Sequence, residues 1–251
     1  MWSARGISYR DLGTGEPPIV VLHGGWGYAF YPFDDAIAGI ARRFVIPDRT
    51  GYGASPPRAV LQHGFHGLYA DETRALLDEL GITRCVLWGH SDGAVIAALL
   101  GSREPARYAG VVLEALHLER EKPRSREFFT MMAKDPDAFG PRVTAKLAAE
   151  HGPDWRTIIR ADGEAWLDIA ATPDEDTFEG RLHELRLPVL VLHGSEDPRT
   201  EPGELDRLRR EVPHAEVHIL DGAGHAPHSE REFAPICTQI VARWLAMLPI
   251  D

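Results

Sequence analysis

Six short apolar runs recur along the chain, at Ile19–Leu22, Phe44–Ile46, Cys85–Trp88, Gly110–Leu113, Val189–Leu192 and Glu216–Leu220. Most are unbroken stretches of Val, Ile and Leu rather than alternations, the pattern of strands covered on both faces, and this points to a parallel sheet. Amphipathic stretches separate most of them. Helices are predicted at Tyr69–Leu80, where Leu76, Leu77 and Leu80 form an apolar stripe, and at Gly93–Leu100, Glu204–Val212 and Arg231–Met247. The fold class is therefore α/β, a mostly parallel central sheet flanked by helices. At the start of the chain, Ile7 and Tyr9 alternate against polar neighbours, which predicts an antiparallel edge hairpin within the first twelve residues.

Between residues 118 and 187 the pattern changes. This stretch is charged and helical, lacks a strand-like run, and is cut by Pro123, Pro136, Gly140–Pro141, Gly152–Pro153 and Pro173. Strand signals resume after it, so it reads as a helical lid inserted into one domain spanning residues 1–251. Phe128, Phe129, Met131, Met132, Phe139, Trp155 and Trp166 fall within it, and about half of them are expected to pack its core while the rest line a pocket. Residues 160–180 hold seven acids and one base, Arg160, which reads as a solvated surface.

Composition narrows the partners. With 38 acidic against 27 basic residues and a net charge of −11, the chain has no basic excess to meet nucleic acid or an anionic membrane; a small-molecule partner is expected. No run approaches the roughly 20 apolar residues of a membrane span, and residues 1–6 lack a signal-peptide core, so a cytoplasmic location is expected. Cys85 and Cys237 are too few and too far apart for a disulfide framework or a zinc site. Lys122, Lys134 and Lys146 all fall in the polar inserted segment, which argues against a Schiff-base lysine. No phosphate-binding or dinucleotide glycine motif occurs, and neither cofactor nor metal is called for.

Three of the runs end alike, in IVVLHGG (19–25), CVLWGHSDG (85–93) and VLVLHGS (189–195). In an open parallel sheet these ends share the carboxyl edge, where ligands bind. The second contains Gly89-His90-Ser91-Asp92-Gly93 between a strand and the apolar helix that follows. A serine at such a turn needs a strained backbone, and glycines two positions either side let helix and strand cross closely.

With this motif in its strand–turn–helix setting, the chain resembles the α/β-hydrolase superfamily over most of its length outside the insertion. The resemblance implies a serine nucleophile, an acid and a histidine in that chain order. Ser91 matches the nucleophile, Asp197 in HGSEDP (193–198) matches the acid, and His225 in GAGH (222–225) matches the base. The segment 48–55, DRTGYGAS, resembles a further family loop with a structural role. Chemically, a serine hydroxyl needs a neighbouring base at neutral pH, and a carboxylate fixes the tautomer of that base. Glu114, at the end of its strand, is a further acid near the same edge, expected to be structurally paired.

A tetrahedral intermediate also needs donors for its oxyanion. The backbone amides of Asp92 and Gly25 are expected to supply them, with Trp26 as the alternative to Gly25. Trp26 and Asp92 are expected to contact substrate. A free carboxylate on Asp92 would favour a cation-bearing ester, and the competing expectation is that Asp92 caps its helix or pairs with an arginine. The reaction expected is hydrolysis of a small carboxylic ester through an acyl-enzyme on Ser91. Cleavage of a carbon–carbon bond, lactone or amide by the same three residues is the alternative, as is a slow-turnover ligand receptor.

Overall fold

The computed structural model describes residues 1–58 and 60–249. Its seven strands are β1 (Tyr9–Leu12), β2 (Ile19–Leu22), β3 (Phe44–Pro47), β4 (Cys85–His90), β5 (Tyr108–Glu114), β6 (Val189–Gly194) and β7 (Glu216–Leu220). They form one sheet in the order β1-β3-β2-β4-β5-β6-β7, parallel throughout except for β1, which runs antiparallel to β3. The expected amino-terminal hairpin is smaller than the sequence suggested. Its return leg is a single bridge between Trp2 and Ser8, and the strand that follows pairs with β3 instead.

Successive strand residues face opposite sides, as the pleat requires. Val20, Leu22, Leu87, Val111 and Val191 join one core, with α2 (Phe65–Glu79) and α3 (Asp92–Arg103). Ile19, Val21, Val86, Trp88 and Leu190 join the other, with α1 (Asp34–Ile37) and α8 (Ala234–Leu245). This two-sided burial is why the strands lack alternation in sequence. Helix α2 starts four residues ahead of the predicted Tyr69, because Phe65 and His66 are also buried. The short helix α7 (Glu204–Glu211) lies between β6 and β7.

The segment between β5 and β6 holds α4 (Arg126–Lys134), α5 (Pro141–His151) and α6 (Trp155–Ala170). Its start is fixed to α7 by Glu204. One carboxylate oxygen of Glu204 accepts the Leu118 and Glu119 amides, each at 2.8 Å, and meets Lys122 Nζ at 2.5 Å. Lys122 is thus fully buried in an ion pair, contrary to its placement in a polar stretch. The acid-rich stretch 160–180 is not wholly solvated either: Asp162 is fully buried. Among the described residues no helix is long and apolar enough to cross a membrane.

Candidate active site

Ser91 stands between the end of β4 and the start of α3, with φ 55° and ψ −119°. A non-glycine residue there costs about 1–3 kcal/mol and persists only because its surroundings fix it. The flanking glycines make the turn sterically feasible. A Cβ on Gly89 would lie 2.1 Å from the Gly93 carbonyl oxygen, and one on Gly93 would lie 1.9 Å from that of Leu22. Helix α3 therefore starts in near-contact with two strands, with its amino terminus aimed at the space above Ser91.

Asp197 follows β6 and His225 follows β7, and the two meet: His225 Nδ1 lies 2.9 Å from Asp197 Oδ2. The other Asp197 oxygen accepts the Arg199 amide at 2.9 Å. Burial works to raise the Asp197 pKa, but the hydrogen bond and charge of His225, with that amide, bring it down to about 2. For His225 burial dominates, reinforced by the Arg199 guanidinium, and holds the imidazole below its ordinary pKa against the pull of Asp197. The ring is further anchored through its backbone carbonyl, which lies 3.0 Å from His90 Nε2.

Ser91, Asp92, Gly25, Trp26 and His225 line one cavity, with Phe128, Phe129 and Met132 from the α4 region and Asp162 and Trp166 from α6. About half the aromatic and methionine residues singled out in the insertion reach it; Met131, Phe139 and Trp155 do not line it. Within the cavity the Ser91 hydroxyl makes its one side-chain hydrogen bond among the described residues with His117 Nε2, at 3.2 Å. No hydrogen bond joins it to His225. The His117 and His225 rings face each other, centroids 5.6 Å apart and planes 20° from parallel. His117 was missed in the sequence because no glycine or motif flanks it. Its position three residues past β5, at the shared carboxyl edge, was the available signal.

Asp92 neither caps α3 with its side chain nor pairs with an arginine. Its Oδ1 meets His66 Nε2 at 3.0 Å and accepts the Trp166 indole N–H at 3.2 Å, while its Oδ2 is buried without a partner among the described residues. Asp162 repeats this arrangement, with Oδ1 accepting the Tyr52 hydroxyl at 2.5 Å and Oδ2 unpartnered. Both free oxygens converge beside Gly25. A Cβ there would lie 2.8 Å from Asp92 Oδ2 and 3.1 Å from Asp162 Oδ2. Burial, then the neighbouring Asp92, pushes Asp162 well above the usual carboxyl range. Asp92 feels the same burial but is held low by His66, Arg49 and the indole N–H. Two like charges this close do not both ionise.

Glu114 lies outside this group. Fully buried, it accepts the Trp88 indole N–H at 3.1 Å and meets His228 Nδ1 at 2.7 Å, so it is structurally paired as expected. His228 is committed to the same contact.

A family model described as alpha/beta hydrolase family matches residues 19–236. The chain belongs to this family. It is accordingly an enzyme of the alpha/beta hydrolase fold, with the hydrolytic activity common to its relatives. It is 26% identical over 260 residues to an sn-1-specific diacylglycerol lipase of Xenopus laevis, covering 90% of this chain and 80% of the relative. It is also 26% identical over 263 residues to a 2-hydroxy-6-oxononadienedioate/2-hydroxy-6-oxononatrienedioate hydrolase of Paraburkholderia phymatum, with 90% and 87% covered. In structure it is similar to a thermophilic esterase from Thermogutta terrifontis, with a TM-score of 0.72, 22% identity, and 96% and 93% of the two chains covered.

Proposed function

We propose that the chain hydrolyses a small carboxylic ester through an acyl-enzyme on Ser91. The observation that carries this reading is that His225, tied through Nδ1 to Asp197, lines the same cavity as a serine on a strained strand–helix turn. His225 has Nδ1 tied to Asp197, which leaves Nε2 to take the Ser91 proton as Oγ attacks the ester carbonyl. The amides of Asp92, at the α3 amino terminus, and Gly25 receive the oxyanion. His225 then returns the proton to the departing alcohol, and the Ser91–acyl ester remains. Water, deprotonated by His225, attacks that ester, the acid leaves, and Ser91 is restored. The segment 118–187 acts as a lid. Its helices α4 and α6 supply Phe128, Phe129, Met132, Asp162 and Trp166 to the cavity wall and so shape what substrate fits.

The carboxyl pair beside Gly25 supports a narrower substrate class. An oxyanion forming at the Gly25 amide stands next to the ionised Asp92, whose neighbour Asp162 is held protonated, and that one negative charge is adverse to it unless a cation lies beside it. An ester carrying an ammonium group close to its carbonyl carbon supplies that cation, in a cavity that Trp26 also lines.

The reading is tested with chromogenic esters of a neutral and an aminoacyl acid. A burst of about one product per enzyme is expected, absent in Ser91→Ala. Asp92→Asn is expected to cut kcat/KM for the aminoacyl ester at least tenfold while sparing the neutral one. An unchanged preference would overturn the cation reading, and turnover surviving in Ser91→Ala would overturn the serine reading.

A further inference from the structure

We propose that His117 is a positioning residue that holds the Ser91 hydroxyl in a resting orientation, away from His225, until substrate displaces it. This inference rests on the serine-hydrolase reading. The geometry offers the nucleophile two imidazoles and gives it to the one less suited to catalysis. His225 has a carboxylate to orient it and to stabilise an imidazolium; His117 has none among the described residues, yet its Nε2 is the atom within 3.2 Å of Ser91 Oγ.

The placement of His117 is built in. Ala115, directly after β5, holds φ 49°, a left-handed conformation uncommon for a residue with a side chain, and this turns the chain back over the sheet edge. The Ala115 amide is tied to the Leu192 carbonyl at 3.1 Å, and the Leu118 amide to Glu204 at 2.8 Å, so the backbone is fixed on both sides of His117. The ring lies against the face of His225, at 5.6 Å, and in a T-shaped contact with Trp166, at 5.2 Å. Burial, with Lys122 nearby, keeps it neutral, so it can serve the hydroxyl as a hydrogen-bond partner without adding charge beside the oxyanion site. The two rings lie face to face in the cavity that Ser91 lines, so the hydroxyl has a second imidazole partner beside the one it holds at rest. His117 then acts on acylation through Ser91 rather than on the substrate.

The test uses a small fluorophosphonate, which phosphonylates an activated serine and carries no group for the rest of the pocket. Inactivation rate constants are measured for the wild-type chain, His117→Leu and His117→Gln, each normalised to the number of sites titrated at the endpoint so that misfolded protein does not count. His117→Leu removes the competing hydrogen bond and is expected to react about fivefold faster, roughly what one net hydrogen bond holds back. His117→Gln, which restores a polar partner, is expected to return to near the wild-type rate. A His117→Leu rate equal to or below wild type overturns the inference, as does a His117→Gln rate as fast as His117→Leu. Should neither variant fold, a high-resolution crystal structure of the wild-type chain decides. Ser91 turned to His117 supports the inference, and Ser91 bonded to His225 overturns it. Peptide mapping separates this failure from that of the underlying reading: an unmodified Ser91 overturns the serine chemistry itself, whereas a modified Ser91 with rates indifferent to residue 117 overturns only the role of His117.

Discussion

Arg199 sits beside the reacting groups without an ion pair among the described residues, its guanidinium 3.9 Å over the Phe128 ring. After burial it is the largest influence holding the His225 pKa down. On the proposed mechanism His225 accepts the Ser91 proton in its neutral form, so kcat/KM is expected to fall as pH drops through its pKa. Arg199→Gln removes the cation, lets that pKa rise, and is expected to move the acidic limb of the pH–rate profile to higher pH. A limb unmoved in a pH series on both enzymes would contradict this. Asp197 titrates in the opposite sense. Its folded pKa of about 2 lies below the ordinary 3.8, so its contribution to stability is complete above about pH 4 and is lost as pH falls toward 2. Asp197→Asn is expected to lower kcat by about 10⁴-fold, since it offers His225 the wrong tautomer. That Asp197 and His225 would meet was legible from motif and chain order. Asp162 was hidden among the charges of its segment, although the spacing Trp155, Ile159, Asp162, Trp166, Ile169 sets it on the apolar stripe of α6.

At the scale of elements, the turn from β4 into α3 depends on contact that only glycine permits. Gly93→Ala would drive a Cβ to 1.9 Å from a backbone oxygen that cannot move aside. A loss of at least about 3 kcal/mol is expected, read as a fall in denaturation midpoint. The inserted helices depend on a different kind of anchor. Lys122 and Glu204 are buried at 0% and 2% side-chain exposure, so removing either leaves the other a buried charge without its counter-ion. Lys122→Met is expected to cost about 3–5 kcal/mol in chemical denaturation. Lys122→Met with Glu204→Gln is expected to cost less than the sum of the two single changes, because no orphaned charge remains. The parallel strands were readable because each is covered on both faces and so appears as an unbroken apolar run. The ion pair was not, since its partners lie 82 positions apart and each residue alone looks like surface.

Across the whole molecule, four of the strand ends bring Ser91, His117, Asp197 and His225 to one edge of the sheet, and the inserted helices close over them. That convergence follows from the strand order β2-β4-β5-β6-β7. The sequence revealed it through the repeated endings of its apolar runs, but it could not show which imidazole the nucleophile faces at rest, a matter of side-chain orientation. The central claim is that Ser91 carries the acyl group. It is tested most directly by quenching the enzyme in acid during turnover of a chromogenic ester and measuring intact mass, followed by peptide mapping. The account predicts a mass increase equal to one acyl group, confined to the peptide containing Ser91 and absent in Ser91→Ala; steady turnover with no adduct on that peptide, or an adduct on another residue, would contradict it.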